Sequence, residues 1–339
     1  MIHRRLGRTG LKLSEIGLGT MTFAGQCDEA ASFGILDAAT DRGVTFIDTA
    51  DVYPIPPDPA TAGRTEEVVG RWLERTGRRD QLVIATKCRL KVGPGPNDQG
   101  LSRRHILRAC EASLRRLNVE AIDLYQAHMP DPETPIDETL RAFDDLVRSG
   151  KVRYVGCSNY ATWELALALG VSERAGLARF DSAQPRYNLL YREIENELLP
   201  LCRDQGVGVV VYNPLAGGML SGKHRVDQPP PPGTRFTLGV SGELYRDRYW
   251  QAAQFEAVET LRTLAESRGL SLATLSVAWV LSHPEISSAI VGASRPEQLT
   301  ATLDAAELAF DDELRAACDA VWWTLPRRPD HRVQGGVIA

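Results

Sequence analysis

Residues 44–53 read VTFIDTADVY: a short apolar run that ends on an acid, Asp48, with a phenol, Tyr53, five positions further on. Two later stretches repeat the arrangement with other groups. LVIAT at 82–86 leads to Lys87, and IDLYQA at 122–127 leads to His128. Short buried runs of this kind predict β-strands. Five more occur, at 16–19 (IGLG), 152–157 (VRYVGC), 180–184, 207–212 (VGVVVY) and 288–291 (SAIV), which with 44–48, 82–86 and 123–127 makes eight.

Amphipathic stretches separate these runs. In 102–117 (SRRHILRACEASLRRL), Ile106, Leu107, Cys110, Leu114 and Leu117 recur at helical spacing, and Ser102 is placed as an N-cap. In 65–76, Thr65 is the expected cap, Glu66 and Glu67 suit the positive helix start, and Val68, Val69 and Trp72 face inward. Eight strands alternating with helices favour a parallel (β/α)8 TIM barrel over an open sheet. No linker or shift of composition divides residues 1–339, so a single domain is expected, with a C-terminal tail from about 324.

The strand ends of such a barrel share one face, where catalytic groups collect. Asp48, Tyr53, Lys87 and His128 would meet there from three neighbouring strands. Singly, each has an ordinary explanation: the acid caps a loop, the tyrosine packs, the lysine reaches solvent, the histidine caps a turn. Together they can give a carbonyl oxygen a proton while hydride arrives from elsewhere. A Pro-rich loop (54–63), a Gly/Pro loop (91–100) and a long segment (213–249) also follow strands, so the extra length lies on the same face.

The bulk numbers narrow the class. Apolar residues are 43% and charged residues 24% of 339, as in a soluble globular protein. A net charge of -5 leaves no footprint for nucleic acid or anionic lipid. No signal peptide or membrane span is visible. Cysteines 27, 88, 110, 157, 202 and 318 lack paired spacing, which points to reduced thiols in the cytoplasm and to no metal site.

Seven stretches occur in an order that resembles an aldo-keto reductase along nearly the whole chain. They are GLGTMTF (17–23), IDTADVY (47–53), ATK (85–87), LYQAH (124–128), VGCSN (155–159), YNPLAGGMLSGK (212–223) and GASRPEQL (292–299). They are most similar to the branch holding potassium-channel β-subunits and many bacterial reductases. The resemblance implies reduction of an aldehyde or ketone by NADPH, with Tyr53 as general acid, Lys87 supplying charge that eases its ionisation, Asp48 holding Lys87, and His128 orienting the carbonyl. It also implies a cofactor site. Thr20, Met21 and Asp48 would meet the nicotinamide ribose, Ser158, Asn159 and Gln184 the carboxamide, and Tyr212 the nicotinamide ring. Asn213, Pro214, Leu215 and Gly217, with Lys223 and Arg235, would cradle the pyrophosphate. Gly292, Ser294, Arg295 and Gln298, beside a helix starting near Pro296, would take the 2′-phosphate. A GxGxxG dinucleotide fingerprint is missing.

Three departures stand out. Pro54 follows Tyr53 directly, with Gly63 ten residues on. Ala301 and Thr302 replace an acid–amide pair, which predicts fewer adenine contacts. The segment VWWTLPRRPDHRVQGGVIA is particular to this chain; Trp322 and Trp323 could wall the substrate pocket, though at least one is expected in helix core. The alternatives are a keto-sugar or enone reductase of secondary metabolism and a nucleotide-sensing regulatory subunit. The sequence leaves substrate and oligomeric state open, a homo-oligomer included.

Overall fold

The computed structural model describes residues 1–327. An antiparallel hairpin of β1 (His3–Arg5) and β2 (Lys12–Ser14) comes first. The strands β3 (Ile16–Gly19), β4 (Phe46–Asp48), β5 (Val83–Cys88), β6 (Ile122–Ala127), β7 (Val152–Ser158), β8 (Ser182–Gln184), β9 (Gly208–Tyr212) and β10 (Ile286–Gly292) follow. They pair in chain order, all parallel, and β10 closes onto β3. The expected eight-stranded barrel is thus present, and every barrel strand overlaps one read from the sequence.

The helices α1 (Glu29–Asp41), α2 (Arg64–Thr76), α3 (Arg103–Leu117), α4 (Ile136–Arg148), α5 (Thr162–Ala175) and α6 (Leu198–Gln205) alternate with strands; α7 (Gly239–Tyr249), α8 (Ala252–Ser267) and α9 (Leu272–Leu281) come before β10, and α10 (Leu299–Leu303) and α11 (Asp312–Thr324) after it. Successive strand residues point to opposite faces. Phe46, Ala85, Leu124, Val210 and Ile290 therefore fill the barrel interior, while Ile47, Ile84, Tyr125, Val209 and Val211 join the larger core beneath the helices. Leu6 and Leu13 of the hairpin segment complete the interior cluster. The hairpin covers the N-terminal end of the barrel, so only the other end is open to the strand-end groups. It is held by Arg4, which donates to the Ile286 carbonyl at 3.0 Å, and by Ser14 Oγ, which accepts from Thr45 N at 3.0 Å.

The Ser102 hydroxyl caps α3 as expected, accepting from His105 N at 3.3 Å. Ser102→Ala should cost about 1 kcal/mol of stability, read as a lower urea midpoint at unchanged slope; an unmoved midpoint would deny the cap. The other expected cap is corrected. The N-cap of α2 is Gly63 (φ 87°), and the Thr65 hydroxyl instead donates to the Phe23 carbonyl at 3.0 Å. A Cβ at Gly63 would lie 2.5 Å from Arg116 Cδ, so packing as well as φ excludes a larger residue.

The three long segments follow β4, β5 and β9. Residues 213–249 hold two 3-10 turns (Ala216–Ser221 and Arg235–Thr237) and α7, so this span is ordered structure over the barrel end and not a plain connection. All six cysteines are buried free thiols. Among the described residues no helix is long and apolar enough to cross a membrane, and no group of three His, Cys, Asp or Glu side chains is placed to hold a metal. Trp322 packs partly against the core and Trp323 is exposed, with Arg327 stacked on both. The tail beyond 327 lies outside the described residues.

Candidate active site at the barrel mouth

Asp48 is the last residue of β4 and points into the barrel with Phe46, its even-numbered neighbour. Its carboxylate binds Lys87 Nζ through one oxygen and accepts from Gln184 Nε2 (2.9 Å) and Gln126 Nε2 (3.2 Å) through the other. The Lys87 ammonium also donates to the Thr49 carbonyl at 2.9 Å. Both charges are buried, which is stable only when pair and hydrogen bonds are complete. Above them, Lys87 Nζ lies 5.3 Å from the centre of the Tyr53 ring, and the Tyr53 and His128 rings meet edge to face at 5.9 Å. The four groups expected to converge do so.

Their electrostatics depart from expectation at one point. The Tyr53 phenol is held above its ordinary range, first by burial and then by the Asp48 charge, with Arg235 acting in the opposite sense. Burial outweighs the lowering expected from Lys87. Tyr53 is thus a firmly protonated phenol. Burial first, then the Lys87 and Arg89 charges, push the His128 imidazole well below its ordinary range, so it is neutral. Its Nδ1 is buried with no partner.

Around this centre, Thr20 donates to the Asp48 carbonyl from both its amide (3.0 Å) and its hydroxyl (3.0 Å). Ser158 Oγ donates to the Gln184 carbonyl (2.8 Å), Asn159 Nδ2 to the His128 carbonyl (3.0 Å), and the Tyr212 hydroxyl to Asn159 Oδ1 (2.8 Å). Burial pushes the Tyr212 phenol up to about 12. The residues expected to hold a carboxamide therefore form one connected network beside Asp48. Arg235 Nη1 lies 2.9 Å from Met21 Sδ and 3.4 Å from the Tyr245 hydroxyl, which brings the long segment onto the mouth.

The chain after β9 turns through left-handed backbone at Asn213 (φ 64°), Ala216, Gly217 (φ 70°) and Gly218 (φ 99°). A Cβ on Gly217 would lie 2.4 Å from Tyr245 Cδ1. The turn is fixed by Asn213 Oδ1, which accepts from Gly217 N at 2.5 Å, while Pro214 and Leu215 carry the chain between them. Lys223 is exposed at its surface, and its ammonium is held below its ordinary range by partial desolvation first and then by the Arg295 charge. Gly292 ends β10 in the open, and Ser294 donates to Gln298 Oε1 from its amide (2.8 Å) and hydroxyl (3.2 Å). The expected helix near Pro296 is a 3-10 turn (Pro296–Gln298) followed by the five-residue α10, too short for much macrodipole. The exposed Arg295 makes no ion pair among the described residues. Thr302 is buried and its hydroxyl donates to the Leu299 carbonyl.

Several groups at the site were not singled out by sequence. Gln126 shares the face of His128 by strand alternation, a signal that could have found it. Asp51 is buried with neither carboxyl oxygen bonded, and burial first, then Glu66, raise its carboxyl well above its ordinary range. Tyr245 comes from α7, whose position no local pattern reveals.

A buried acid–amine pair under a protonated phenol and a neutral imidazole, at the open end of a parallel barrel, is oxidoreductase architecture suited to a carbonyl. The chain belongs to the Aldo/keto reductase family, which it matches over residues 15–322. It is 40% identical over 319 residues to "Uncharacterized oxidoreductase YrpG" of Bacillus subtilis, covering 93% of this chain and 94% of that one. It is 37% identical over 311 residues to a "Probable voltage-gated potassium channel subunit beta" of Arabidopsis thaliana (91% and 92%). Versiconal hemiacetal acetate reductase of Aspergillus parasiticus is 35% identical over 312 residues (84% and 86%).

Proposed function

We propose that this chain is a single-domain, cytoplasmic, NADPH-dependent reductase of aldehydes or ketones, with Tyr53 as general acid. The observation that carries it is the Asp48–Lys87 pair seated beneath Tyr53 and His128. Tyr53 holds the proton; His128, being neutral, can donate a hydrogen bond to the carbonyl oxygen without competing for charge. Lys87 and Asp48 form the buried floor beneath them.

The residues present fit the cofactor. The Arg295 charge acts on Lys223, and cations within reach of one another favour a polyanion. Left-handed backbone at Asn213, Ala216, Gly217 and Gly218 turns the chain here, and Gly218 leaves open the space in front of the Lys223 stem. NADPH, when bound, supplies the hydride. Ser158, Asn159 and Gln184 would orient its carboxamide, Thr20, Met21 and Asp48 its ribose, Tyr212 its ring, and Arg235 would close over the diphosphate. Gly292, Ser294, Arg295 and Gln298 would meet the 2′-phosphate.

NADPH consumption with a panel of aldehydes, ketones, keto-sugars and enones tests the reading. No turnover on any of them, with tight nucleotide binding retained, would favour the nucleotide-sensing role suggested by the likeness to a channel β-subunit. The preference for NADPH should rest on Arg295. A hydrogen bond to a charged group contributes roughly 1.5–3 kcal/mol, so Arg295→Ala should weaken NADPH binding by about one to two orders of magnitude. NADH, lacking the 2′-phosphate, should change little in the same titration. Equal losses for both would place Arg295 elsewhere, and a wild type that favours NADH would overturn the cofactor assignment.

A further inference from the structure

We propose that His224 is an additional member of the phosphate cradle and takes up a proton when the cofactor's diphosphate seats there; this rests on the NADPH reading above. His224 directly follows Lys223 and is 4% exposed. Its ring packs edge-on against Phe236 (5.0 Å) and Trp250 (5.1 Å). Both ring nitrogens are buried and neither has a hydrogen-bond partner. A neutral imidazole carries one donor and one acceptor, and each unmet buried group costs about 1–3 kcal/mol. Aromatic packing alone would be served better by a phenylalanine. The unmet Nε2 therefore points to a ligand that completes it.

The position says which ligand. The atoms nearest to where a Cβ on Gly218 would sit are His224 Nε2, at 3.9 Å, and Lys223 Cε, at 4.0 Å. The absent side chain of Gly218 thus leaves a gap faced by an imidazole and an ammonium stem, at the end of the left-handed turn. An anion there would meet Lys223 and His224 together.

The charge that acts on the ring is that of Lys223, while the acid Glu259 acts on the adjoining Arg225. Lys223 adjoins it, Arg225 Nη1 donates to the His224 carbonyl at 2.9 Å, and Arg246 of α7 donates to the Phe236 carbonyl. Phe236 and Trp250 are uncharged, and Tyr245 packs behind Phe236. Burial first, then Lys223, hold the imidazole down to about 4, so it is neutral before the anion arrives. An opposite charge at close range raises such a value by about 1–3 units. Bound and free proteins then differ in protonation between about pH 4 and the raised value. Affinity should strengthen as pH falls through that window, by up to about tenfold per pH unit, and level off below it.

The test is calorimetric titration of NADP+, which tolerates acid, into wild type, His224→Phe and His224→Gln. Two buffers of different ionisation enthalpy at each pH give proton uptake directly. The 2′-phosphate titrates near pH 6 by itself, so the quantity read is the difference between wild type and variants, repeated with NAD+, whose diphosphate does not titrate there. Wild type should take up more protons than either variant, by up to about one per site, and have the steeper affinity–pH slope. A residue that only fills space would not move either quantity. Should His224→Phe fail to fold, the polar His224→Gln carries the comparison. Equal proton uptake and equal slopes in proteins that all bind NADP+ would overturn the role of His224. A wild type that binds no NADP+ would overturn the cofactor reading, and this inference with it.

Discussion

Replacing Tyr53 by phenylalanine is expected to lower carbonyl reduction by about 10²–10⁴-fold, the usual worth of a positioned general acid, while NADPH affinity stays near that of wild type. The structure makes this substitution clean. Among the described residues the Tyr53 hydroxyl makes no protein hydrogen bond, so its removal strands no buried partner. The ring stays, and with it the edge-to-face contact with His128 and the approach of Lys87. Urea midpoints should therefore differ by no more than roughly 0.5 kcal/mol equivalent. Turnover close to wild type in a folded, NADPH-binding Tyr53→Phe protein would remove Tyr53 from the acid role and with it the proposed mechanism.

Lys87→Met should have the larger effect on stability. It leaves the Asp48 carboxylate buried with two amides and no cation, and breaking a buried pair in this way costs about 3–5 kcal/mol. It should also suppress turnover, and any residual alkaline limb should move up in pH. Without the ammonium the Asp48 charge bears fully on Tyr53, and removing a cation always raises a phenol. The companion variant Lys87→Met/Asp48→Asn separates the two effects, because it removes both charges. It should recover much of the lost stability in denaturant and remain inactive. A double variant as unstable as the single one would mean that Lys87 supports the barrel by packing. One with restored activity would mean that the ion pair is not needed for the chemistry.

The barrel was legible because each strand is a buried run bounded by turn residues, and parallel strands buried on both faces show little alternation to confuse with a helix. The convergence of Asp48, Lys87, Tyr53 and His128 was legible for a related reason: in such a barrel a position at a strand's C-terminal end is already a position in space. What escaped was set by contacts across long sequence separations. Gln184 and Asp48 are 136 residues apart and hydrogen-bonded. The three-residue strands of the hairpin are too short for any periodicity. The direction of the Tyr53 shift is set first by how completely the folded chain buries the phenol. Thr65 lost the cap of α2 because Gly63 already has the left-handed backbone that the turn needs. The length of the helix after Pro296 was set by packing, not by its start signal.

The hairpin has a consequence for how the chain is made. Three of its contacts come from the other end of the sequence: Arg4 reaches the Ile286 carbonyl, Ser288 Oγ donates to the Ser14 carbonyl, and Ala289 N donates to the Glu15 carbonyl. During synthesis at about 5–20 residues per second, residues 3–15 emerge well ahead of β10 and wait for it on the order of tens of seconds. Until it arrives, Leu6 and Leu13 have only part of the interior to cover, and the ring of strands is open at the seam between β9 and β3. Ribosome-bound chains arrested before residue 286 should be captured by chaperones that recognise exposed apolar segments, and those arrested well after 292 should be released.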